Sequence, residues 1–231
     1  MRNGPIVQLE KVSRIYQQGH VDVKAVDNLD LTIETGEFSA LSGPSGSGKT
    51  TILNMIGALD VPTEGVVRLE GNNLGELSRR RLSDLRRDRI GFVFQAYNLV
   101  PVLTAYENAE FVLALQNVPV QERKQRVMAV LEEVGMAAYV NRRPDELSGG
   151  QQQRIAIARA VVSEPAIVLA DEPTANVDSE AADTILDLMQ HLNRDKGVTF
   201  LFSTHDPRVM NRARRLISLR DGRLEADVRK E

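Results

Sequence analysis

The chain has 231 residues, with 29 lysines and arginines against 32 aspartates and glutamates, for a formal net charge of −3. Hydrophobic residues make up 42% and charged residues 26%, a balance that excludes a disordered or fibrous chain. The slight acidity argues against a generally basic nucleic-acid-binding protein. There is no cysteine, which excludes a disulfide framework, a cysteine-ligated metal and a thiol nucleophile.

The length predicts one large domain over residues 1–231. No apolar run approaches the ~18 residues of a membrane span, and the start MRNGPIVQLEK lacks the apolar core of a signal peptide. We therefore expect a cytoplasmic chain. If it works at a membrane, another polypeptide would cross the bilayer.

The first forty residues are typical of strands. Leu29, Leu31 and Ile33 alternate with polar residues, and a turn at Thr35-Gly36 leads into a second apolar run. A glycine-rich loop follows, then a predicted helix over 49–59 and a short strand over 66–70.

The middle of the chain is mostly helical, from residue 77 to about 136, with an interruption at 91–95. We expect residues 96–160 to form a helical subdomain inserted between the core segments 1–95 and 161–231. In the last third, the apolar run 166–170 predicts a buried parallel strand. A helix around Ile185 and Met189, a strand over 198–203 and a hairpin across Asp221-Gly222 follow. The order predicts an α/β layered core.

The segment from Gly43 to Thr50 fits the phosphate-binding pattern G-x-x-x-x-G-K-[ST] between a predicted strand and a helix. Its glycines let backbone amides converge on phosphate oxygens at the start of the helix. Lys49 would reach the β- and γ-phosphates, and Thr50 would hold Mg²⁺. The structural alternative is a glycine-rich turn before a helix. The predicted ATP-binding residues here are Gly43, Pro44, Ser45, Gly46, Ser47, Gly48, Lys49, Thr50 and Thr51.

Two acidic residues end the buried strand over 166–170. Asp171 would contact Mg²⁺, directly or through water, and Glu172 is placed to polarise an attacking water as a general base. Taken alone, such a pair could equally cap the following helix; beside a phosphate loop the catalytic interpretation is favoured.

A third motif, Leu147-Ser148-Gly149-Gly150-Gln151, lies between the phosphate loop and the acidic strand. A serine N-cap on a helix explains Ser148 and the glycines but not the whole pentapeptide. The pentapeptide resembles the signature of ATP-binding cassette (ABC) ATPases, and the resemblance covers essentially the whole chain. It implies a P-loop NTPase (RecA-like) core, an N-terminal antiparallel β subdomain and an inserted α-helical signature subdomain.

The resemblance assigns further roles by position. Gln95 matches the glutamine that contacts Mg²⁺ and senses the membrane partner, and His205 matches the switch histidine that contacts the γ-phosphate. Tyr16 lies where the family places an aromatic ring against adenine. The predicted metal ligands are thus Thr50, Gln95 and Asp171, and the catalytic residues are Glu172, His205 and Lys49. The stretch that matches the D-loop, which crosses the dimer interface, consists of Ala175, Asn176, Val177 and Asp178.

The chain is most similar to the macrolide-export and lipoprotein-release branch, the MacB, LolD and FtsE type, in stretches such as 90–95 and 147–154. Thr50 replaces a common serine and keeps the hydroxyl. Ala175 and Val177 stand where this branch has glycine and leucine, which affects the D-loop rather than the chemistry.

What the resemblance implies is Mg²⁺-dependent ATP hydrolysis by a head-to-tail homodimer, in which each copy donates its signature to the other's γ-phosphate. The enzyme would energise a separate integral membrane permease of the MacB, LolC or FtsX type, for export, lipoprotein release or mechanotransmission. It would sit peripherally on the inner face of the membrane, without nucleic acid. The apolar and aromatic residues near Gln95 predict either a groove for a helix of the permease or the core of the helical subdomain, and the sequence favours neither: Phe94, Tyr97, Leu99, Val100, Leu103 and Tyr106.

Three interpretations compete with, or refine, this assignment. A soluble ABC-type ATPase of DNA repair or translation would carry coiled-coil insertions or tandem cassettes, and a non-hydrolysing regulatory module would not need Glu172 or His205.

The basic run 79–89 could face anionic lipid, but Asp84 and Asp88 within it favour a solvated helix. His20 and His191 are expected at the surface.

Overall fold

The strands of the chain form two sheets in the computed structural model, which describes residues 4–19 and 21–230. In chain order, the strands are β1 (Pro5–Gln18), β2 (Val21–Glu34), β3 (Phe38–Ser42), β4 (Glu64–Leu69), β5 (Asn72–Asn73), β6 (Ile90–Val93), β7 (Ile167–Asp171), β8 (Phe200–Ser203), β9 (Arg215–Arg220) and β10 (Arg223–Arg229). The α-helices are α1 (Lys49–Ile56), α2 (Arg79–Arg89), α3 (Ala105–Leu115), α4 (Val120–Glu133), α5 (Gly149–Val161), α6 (Ser179–Lys196) and α7 (Pro207–Arg212).

The first sheet is the predicted antiparallel β subdomain, with strand order β2-β1-β4-β5. The second has the order β10-β9-β3-β8-β7-β6. Its strands β9, β3, β8, β7 and β6 are parallel to one another, and β10 pairs antiparallel to β9 at the edge. Every residue of β3 and β8 is buried, as expected for central strands of a parallel sheet that is covered on both faces. The predicted α/β fold with its β subdomain is confirmed.

Most predicted elements are present with small shifts at their ends. The first helix ends at Ile56 rather than at residue 59, because Gly57 caps it and Ala58 adopts a positive φ of 55°. A Cβ at Gly57 would lie 2.7 Å from the ring of Phe92, so a larger residue there would require that ring to shift. The predicted hairpin across Asp221-Gly222 is the β9–β10 pair, and its second strand, expected over 223–225, runs on to Arg229.

The apolar residues collect in three clusters. One lies between the two sheets around α1, and a second lies between the six-stranded sheet and α6, where Ile185, Met189 and Leu192 are buried as the helical pattern predicted. The third joins α3, α4 and one face of α5. Helix α5 contributes Ile155 and Ala158 to this third cluster and Ile157 to the second, so it ties the helical segment to the sheet.

Within residues 4–19 and 21–230, no helix has the length and apolarity to cross a bilayer. His191 is exposed, as predicted, and contacts Asp195 and Glu133. His20 lies outside the described residues.

Candidate nucleotide-binding site

Four parallel strands bring the predicted site residues to one edge of the sheet. The phosphate loop follows β3, Gln95 follows β6, Asp171 ends β7 before Glu172, and His205 follows β8. In open α/β sheets the crevice outside the carboxyl ends of the strands is where ligands bind. The topology therefore brings together side chains that lie up to about 160 residues apart in the sequence.

The phosphate loop is shaped by two glycines that no other residue could replace without a clash. At Gly48, with φ 97°, a Cβ would lie 2.4 Å from the carbonyl oxygen of Ala25. At Gly43, a Cβ would lie 2.2 Å from the carbonyl oxygen of Leu219. Lys49 is buried, and its Nζ donates to the carbonyl oxygens of Gly43 and Pro44 at 2.8 and 2.9 Å. The lysine thus folds back over the loop that it closes.

A cavity of about 700 Å³ opens over this loop, enough for a small ligand. Buried hydroxyls at its wall, those of Ser47 and Ser203, have no hydrogen-bond partner among the described residues. Unpaired buried hydroxyls of this kind fit a polar ligand such as a phosphate group. The cavity is lined by Val23, Lys24, Ala25, Pro44, Ser45, Gly46, Ser47, Gly48, Lys49, Thr50, Thr51, Gln95, Glu172, Ser203 and His205.

Thr50 and Asp171 face each other beside the cavity. The Thr50 hydroxyl lies 3.4 and 3.3 Å from the two carboxylate oxygens of Asp171. This pair of hard oxygen ligands fits Mg²⁺, which proteins hold with one or two side chains while phosphates and water fill the remaining positions. Among the described residues, no group of three or more His, Cys, Asp or Glu side chains could hold a metal without such help.

Glu172 occupies an unusual backbone conformation, with φ 45°. Its backbone amide donates to the carbonyl oxygen of Ser203 at 2.9 Å. One carboxylate oxygen accepts a hydrogen bond from the buried Thr204 hydroxyl at 3.1 Å, and the other lies 2.6 Å from Nδ1 of His205. Residues held in sparsely populated backbone regions cluster at functional sites, because the surroundings must impose them. Thr204, a residue that the sequence motifs did not single out, thus fixes the carboxylate.

Gln95, Tyr97 and the predicted D-loop are joined by hydrogen bonds. The Asn176 side chain donates to the carbonyl oxygen of Gln95 at 3.0 Å, and the Gln95 amide reaches the Asn176 side-chain oxygen at 3.4 Å. The Tyr97 hydroxyl donates to the Asn176 carbonyl oxygen at 2.6 Å. Ala175 and Val177 make up the rest of the turn, and Asp178 caps α6 by accepting from the amide of Ala181. Three hydrogen bonds therefore join the loop after β6 to the loop after Glu172.

The side chain of Gln153 on α5 is fully buried and connects three segments. Its amide donates to the carbonyl oxygen of Pro173 at 2.6 Å and to that of Phe94 at 3.3 Å. Because both neighbours are acceptors, the amide orientation is fixed, and the Gln153 Oε1 atom is left without a partner among the described residues. The sequence offered one signal for this residue, its position two residues after the signature motif.

The signature motif forms the N-terminus of α5. Ser148 accepts from the amide of Gln151 at 3.3 Å, and the Gln151 side chain accepts from the Ser148 amide at 2.9 Å, a complete capping box. The helix capping that the sequence allowed is therefore present. None of Leu147, Ser148, Gly149, Gly150 or Gln151 lines the cavity over the phosphate loop within the described chain. The N-terminus of α5, the end of a helix that attracts anions, therefore lies outside this cavity, with Ser148 exposed at its start.

Tyr16 stands at the side of the cavity rather than in its wall. It pairs across the β1–β2 ladder with Val23, which does line the cavity. The guanidinium of Arg14 lies 4.5 Å from the centre of the Tyr16 ring, and the Tyr16 hydroxyl donates to Asp60 at 2.6 Å. Burial disfavours the charge of Asp60, but the hydrogen bonds from Tyr16 and the Val61 amide and the charge of Arg14 outweigh it, so the pKa of this carboxyl lies below its ordinary value. The ring is thereby fixed in one orientation.

A separate groove of about 420 Å³ lies between α2, α3, α5 and β6. Of the six residues considered for a permease groove, only Phe94 lines it. Leu99 and Tyr106 pack against the helical core, and the carbonyl oxygens of Val100 and Leu103 are held by the buried Asn108. Tyr97 contacts the D-loop. The groove is lined by Leu59, Ser83, Arg86, Arg87, Ile90, Gly91, Phe92, Phe94, Asn98, Phe111, Val112, Leu115, Arg159, Ala160 and Ser163.

Comparison with known proteins places the chain in a class. The family model described as ABC transporter matches residues 26–175, which include the phosphate loop, the signature and the acidic strand end. The chain belongs to this family and is an ATP-binding enzyme that hydrolyses ATP.

Among individual proteins, the chain is 46% identical over 224 residues to the lipoprotein-releasing system ATP-binding protein LolD of Anaeromyxobacter dehalogenans, covering 96% of this chain and 94% of LolD. It is 43% identical over 223 residues to the macrolide export ATP-binding/permease protein MacB of Hyphomonas neptunium, covering 96% of this chain but 34% of MacB. The chain therefore spans about a third of the length of that relative. The similarity to this branch is confirmed.

A solved structure agrees with both fold and family. The ATP-binding cassette MJ0796 of Methanocaldococcus jannaschii, in a dimeric post-hydrolysis state bound to ADP and Pi, superimposes with a TM-score of 0.90 at 42% identity. The match covers 97% of this chain and 99% of that chain.

Proposed function

We propose that this ABC ATPase works as a head-to-tail dimer that hydrolyses Mg²⁺-ATP and drives a membrane permease, from a position on the inner face of the membrane. The observation that carries the proposal is the separation of two half-sites on one chain. The phosphate loop, Asp171, Glu172 and His205 surround one cavity, whereas the signature at the N-terminus of α5 lies outside that cavity. In a dimer, the signature of each copy would complete the phosphate-loop site of the other copy.

In this proposal, each side chain acts on the nucleotide from its observed position. Lys49 would exchange its two loop carbonyls for the β- and γ-phosphates, because charged phosphate oxygens are stronger acceptors. Thr50 and Asp171 would hold Mg²⁺, which neutralises developing charge on the phosphates, with Gln95 at the cavity wall as a further ligand. Tyr16 would lie against the adenine.

Hydrolysis would depend on Glu172. A water attacks the γ-phosphorus, Glu172 accepts the proton of that water, and the bridging oxygen leaves with ADP. Thr204 and His205 each contact one oxygen of the Glu172 carboxylate, and these two contacts fix its orientation. His205 is largely exposed on its other side and would contact the γ-phosphate. Loss of that phosphate would remove the group that bridges the two copies and let the dimer open.

The groove beside α2 is the proposed permease contact. Its floor is apolar, with Phe92 and Phe94 stacked at 5.6 Å, and its rim carries Arg86, Arg87 and Arg159. Arg159 is buried enough that its pKa lies below the ordinary value, because burial disfavours the charge. A short amphipathic helix that carries a carboxylate would fit this combination of apolar floor and basic rim. LolD and MacB are described in their names as parts of lipoprotein-release and macrolide-export systems, which supports a permease as the partner.

Trapping the ATP-bound state tests the dimer. Glu172→Gln keeps the shape of the side chain and removes the base, so with saturating ATP and Mg²⁺ we expect twice the mass of one chain by light scattering. Lys49→Ala in the same background removes the phosphate contact and should stay monomeric. A Glu172→Gln chain that remains monomeric with bound ATP would refute the dimer.

Capture of the permease tests the groove. Phe111 lines the groove and is 44% exposed, so Phe111→Asp places a charge in the proposed contact without disturbing the core. We expect this variant to lose co-purification with the membrane protein that the wild type retains from detergent-solubilised membranes. Val102→Asp, at a residue 71% exposed outside the groove, is the control. Equal capture by both variants would contradict the groove assignment.

A further inference from the structure

The first turn of α2 carries three consecutive arginines that the helix itself does not favour. Ser78 caps the helix by accepting from the amide of Arg81, and Arg79, Arg80 and Arg81 follow with no acidic residue in the first turn. The N-terminus of a helix carries partial positive charge, so cations there are destabilising and acidic residues are the usual choice. A cluster that works against local stability calls for an explanation outside the helix.

The three arginines also lack partners. All three are exposed, and none makes a side-chain hydrogen bond or ion pair within residues 4–19 and 21–230. The other half of the same helix is different. Arg86 donates to the Ala58 carbonyl oxygen at 2.8 Å, and Arg87 is paired with Asp84 and Asp88.

Arg89 completes the paired half with a bidentate contact to Glu70 at 2.7 Å. The two acidic residues nearest in sequence to the three arginines, Glu76 and Asp84, both have other partners: Glu76 accepts from Asn73 at 2.7 Å, and Asp84 pairs with Arg87. The sequence favoured a solvated helix with balanced charges for the basic run 79–89. That prediction fits residues 84–89, but it does not explain the three arginines of the first turn.

Helical spacing relates the unpaired arginines to the groove. Ser83, Arg86 and Arg87 of α2 line the groove, and residues three or four apart lie on the same face of a helix. Arg79 and Arg80 therefore continue the face that carries Ser83, one turn further toward the start of α2. The basic rim of the groove extends along α2 past the end of the groove.

We infer that the exposed first turn of α2 binds the phosphate headgroups of anionic lipids, with Arg79 and Arg80 on the side of the permease groove and Arg81 adjacent to them in the same turn. This inference rests on the proposed function, because a groove that receives a membrane permease must face the membrane. Guanidinium groups bind phosphate oxygens through two parallel hydrogen bonds, and clustered basic residues near a bilayer recognise anionic lipid. The chain as a whole carries a net charge of −3, so attraction to such a surface has to come from a local cluster.

Vesicle co-sedimentation of the full chain tests the inference without any permease. Vesicles of phosphatidylcholine are compared with vesicles in which about a quarter of the lipid is phosphatidylglycerol. We expect binding to the anionic vesicles that weakens with salt, and a partition coefficient at least roughly tenfold lower for R79Q/R80Q/R81Q. The melting temperature of this variant should not fall, because the unfavourable charges have left the helix N-terminus.

The matched control is K11Q/K124Q/R194Q, which removes the same charge from three exposed, scattered positions whose side chains have no partner within the described chain. It should retain wild-type binding. Absence of wild-type binding to anionic vesicles, or equal loss in both triple variants, would overturn the inference.

A permease contact made by the arginines is the competing outcome. If R79Q/R80Q/R81Q reduces permease capture in phosphatidylcholine nanodiscs while vesicle binding is unaffected, the cluster binds protein and the lipid assignment is wrong. Phe111→Asp separates this test from the groove proposal, because it should abolish permease capture and leave vesicle binding intact. Failure of one test therefore does not imply failure of the other.

Discussion

At the scale of single residues, the hydroxyl of Thr204 links two parts of the catalytic edge. It donates to the Glu172 carboxylate at 3.1 Å and accepts from the amide of Asp206 at 2.9 Å. Asp206 in turn accepts from Thr174, which lies two residues after Glu172. A buried hydroxyl with both functions satisfied is difficult to replace, because its removal leaves two polar groups unpaired.

We therefore expect Thr204→Val to lower kcat at least roughly tenfold, in the lower range for a misplaced general base. The Kd for ATP should change little, because Thr204 does not line the nucleotide cavity. Thr204→Ser keeps the hydroxyl and should restore most of the rate. A Thr204→Val enzyme with wild-type kcat, measured by phosphate release, would show that the contact is not needed for catalysis.

Tyr16 gives a second prediction at this scale. If its fixed ring stacks on adenine, Tyr16→Ala should raise the Kd for ATP by roughly tenfold, the size of one base–aromatic stack. Inorganic tripolyphosphate has no base, so its Kd should not change. Tyr139, a surface tyrosine 37% exposed, supplies the control variant Tyr139→Ala. Equal weakening of both ligands would mean that Tyr16 supports the fold rather than the base.

At the scale of elements, α5 is the helix through which the parts of the site are connected. Its first turn is the signature, its apolar faces join the sheet to the helical segment, and Gln153 reaches from it to the loops after β6 and β7. A shift of α5 would therefore displace the backbone next to both Gln95 and Glu172. The groove beside β6 also contacts α5, through Arg159 and Ala160.

Gln153→Leu tests this connection. Leucine fills the space but leaves the carbonyl oxygens of Phe94 and Pro173 unpaired, so we expect a loss of about 1–3 kcal/mol in the free energy of unfolding. ATP-driven dimerisation in the Glu172→Gln background should weaken as well. The control is Gln152→Leu, because Gln152 is only half-buried and its amide contacts a single carbonyl oxygen, that of Leu147. Equal effects in urea unfolding for both variants would contradict a special role for Gln153.

The β9–β10 hairpin predicts a pH dependence of stability. The pKa of Asp227 lies below its ordinary value of 3.8, because Arg215 donates to it at 2.7 and 2.8 Å. A carboxyl with a lowered native pKa contributes stability above the unfolded pKa, and this contribution disappears as the pH falls through the native pKa. Because Asp227 is exposed to solvent, Asp227→Asn should cost about 1 kcal/mol or less in the free energy of unfolding at neutral pH, and less again near pH 3. A pH-independent difference in urea unfolding would contradict this assignment.

The sequence predicted the parts of the molecule whose structure requires particular residue types at particular positions. The phosphate loop needs glycines at fixed spacing, α5 needs its cap, and β7 needs a continuous apolar run. Each of these requirements can be recognised in the amino-acid sequence. The contacts of Tyr97 and Gln153 could not be predicted in this way, because their partners are backbone carbonyl oxygens, which every residue carries. Of the six residues near Gln95 predicted to line a permease groove or the helical core, Phe94 lines the groove beside β6, whereas Leu99 and Tyr106 pack against the helical core. Which aromatic side chains face a groove depends on how α2 and α5 pack, not on their spacing.

At the scale of the whole molecule, we assign different functions to two surfaces: the edge of the sheet with the cavity, and the face that carries the groove beside α2. In the proposed function, the edge of the sheet with the cavity holds the nucleotide, and the signature end of α5, which lies outside this cavity, meets a second copy. The groove, Arg79 and Arg80 lie on one face of α2, which we assign to the permease and the membrane. Helix α5 contacts both surfaces, so we propose that it connects hydrolysis to the permease.

The most direct test of the central claim is to block the signature in the ATP-trapped variant. Ser148 lies outside the cavity of its own chain, so Glu172→Gln with Ser148→Arg should bind one ATP per chain with a Kd within about twofold of Glu172→Gln alone. It should not dimerise by light scattering. The control Glu164→Arg, at an exposed residue just beyond the far end of α5, should still dimerise. Dimers despite Ser148→Arg, or loss of ATP binding by the monomer, would contradict a site built from two copies of the chain.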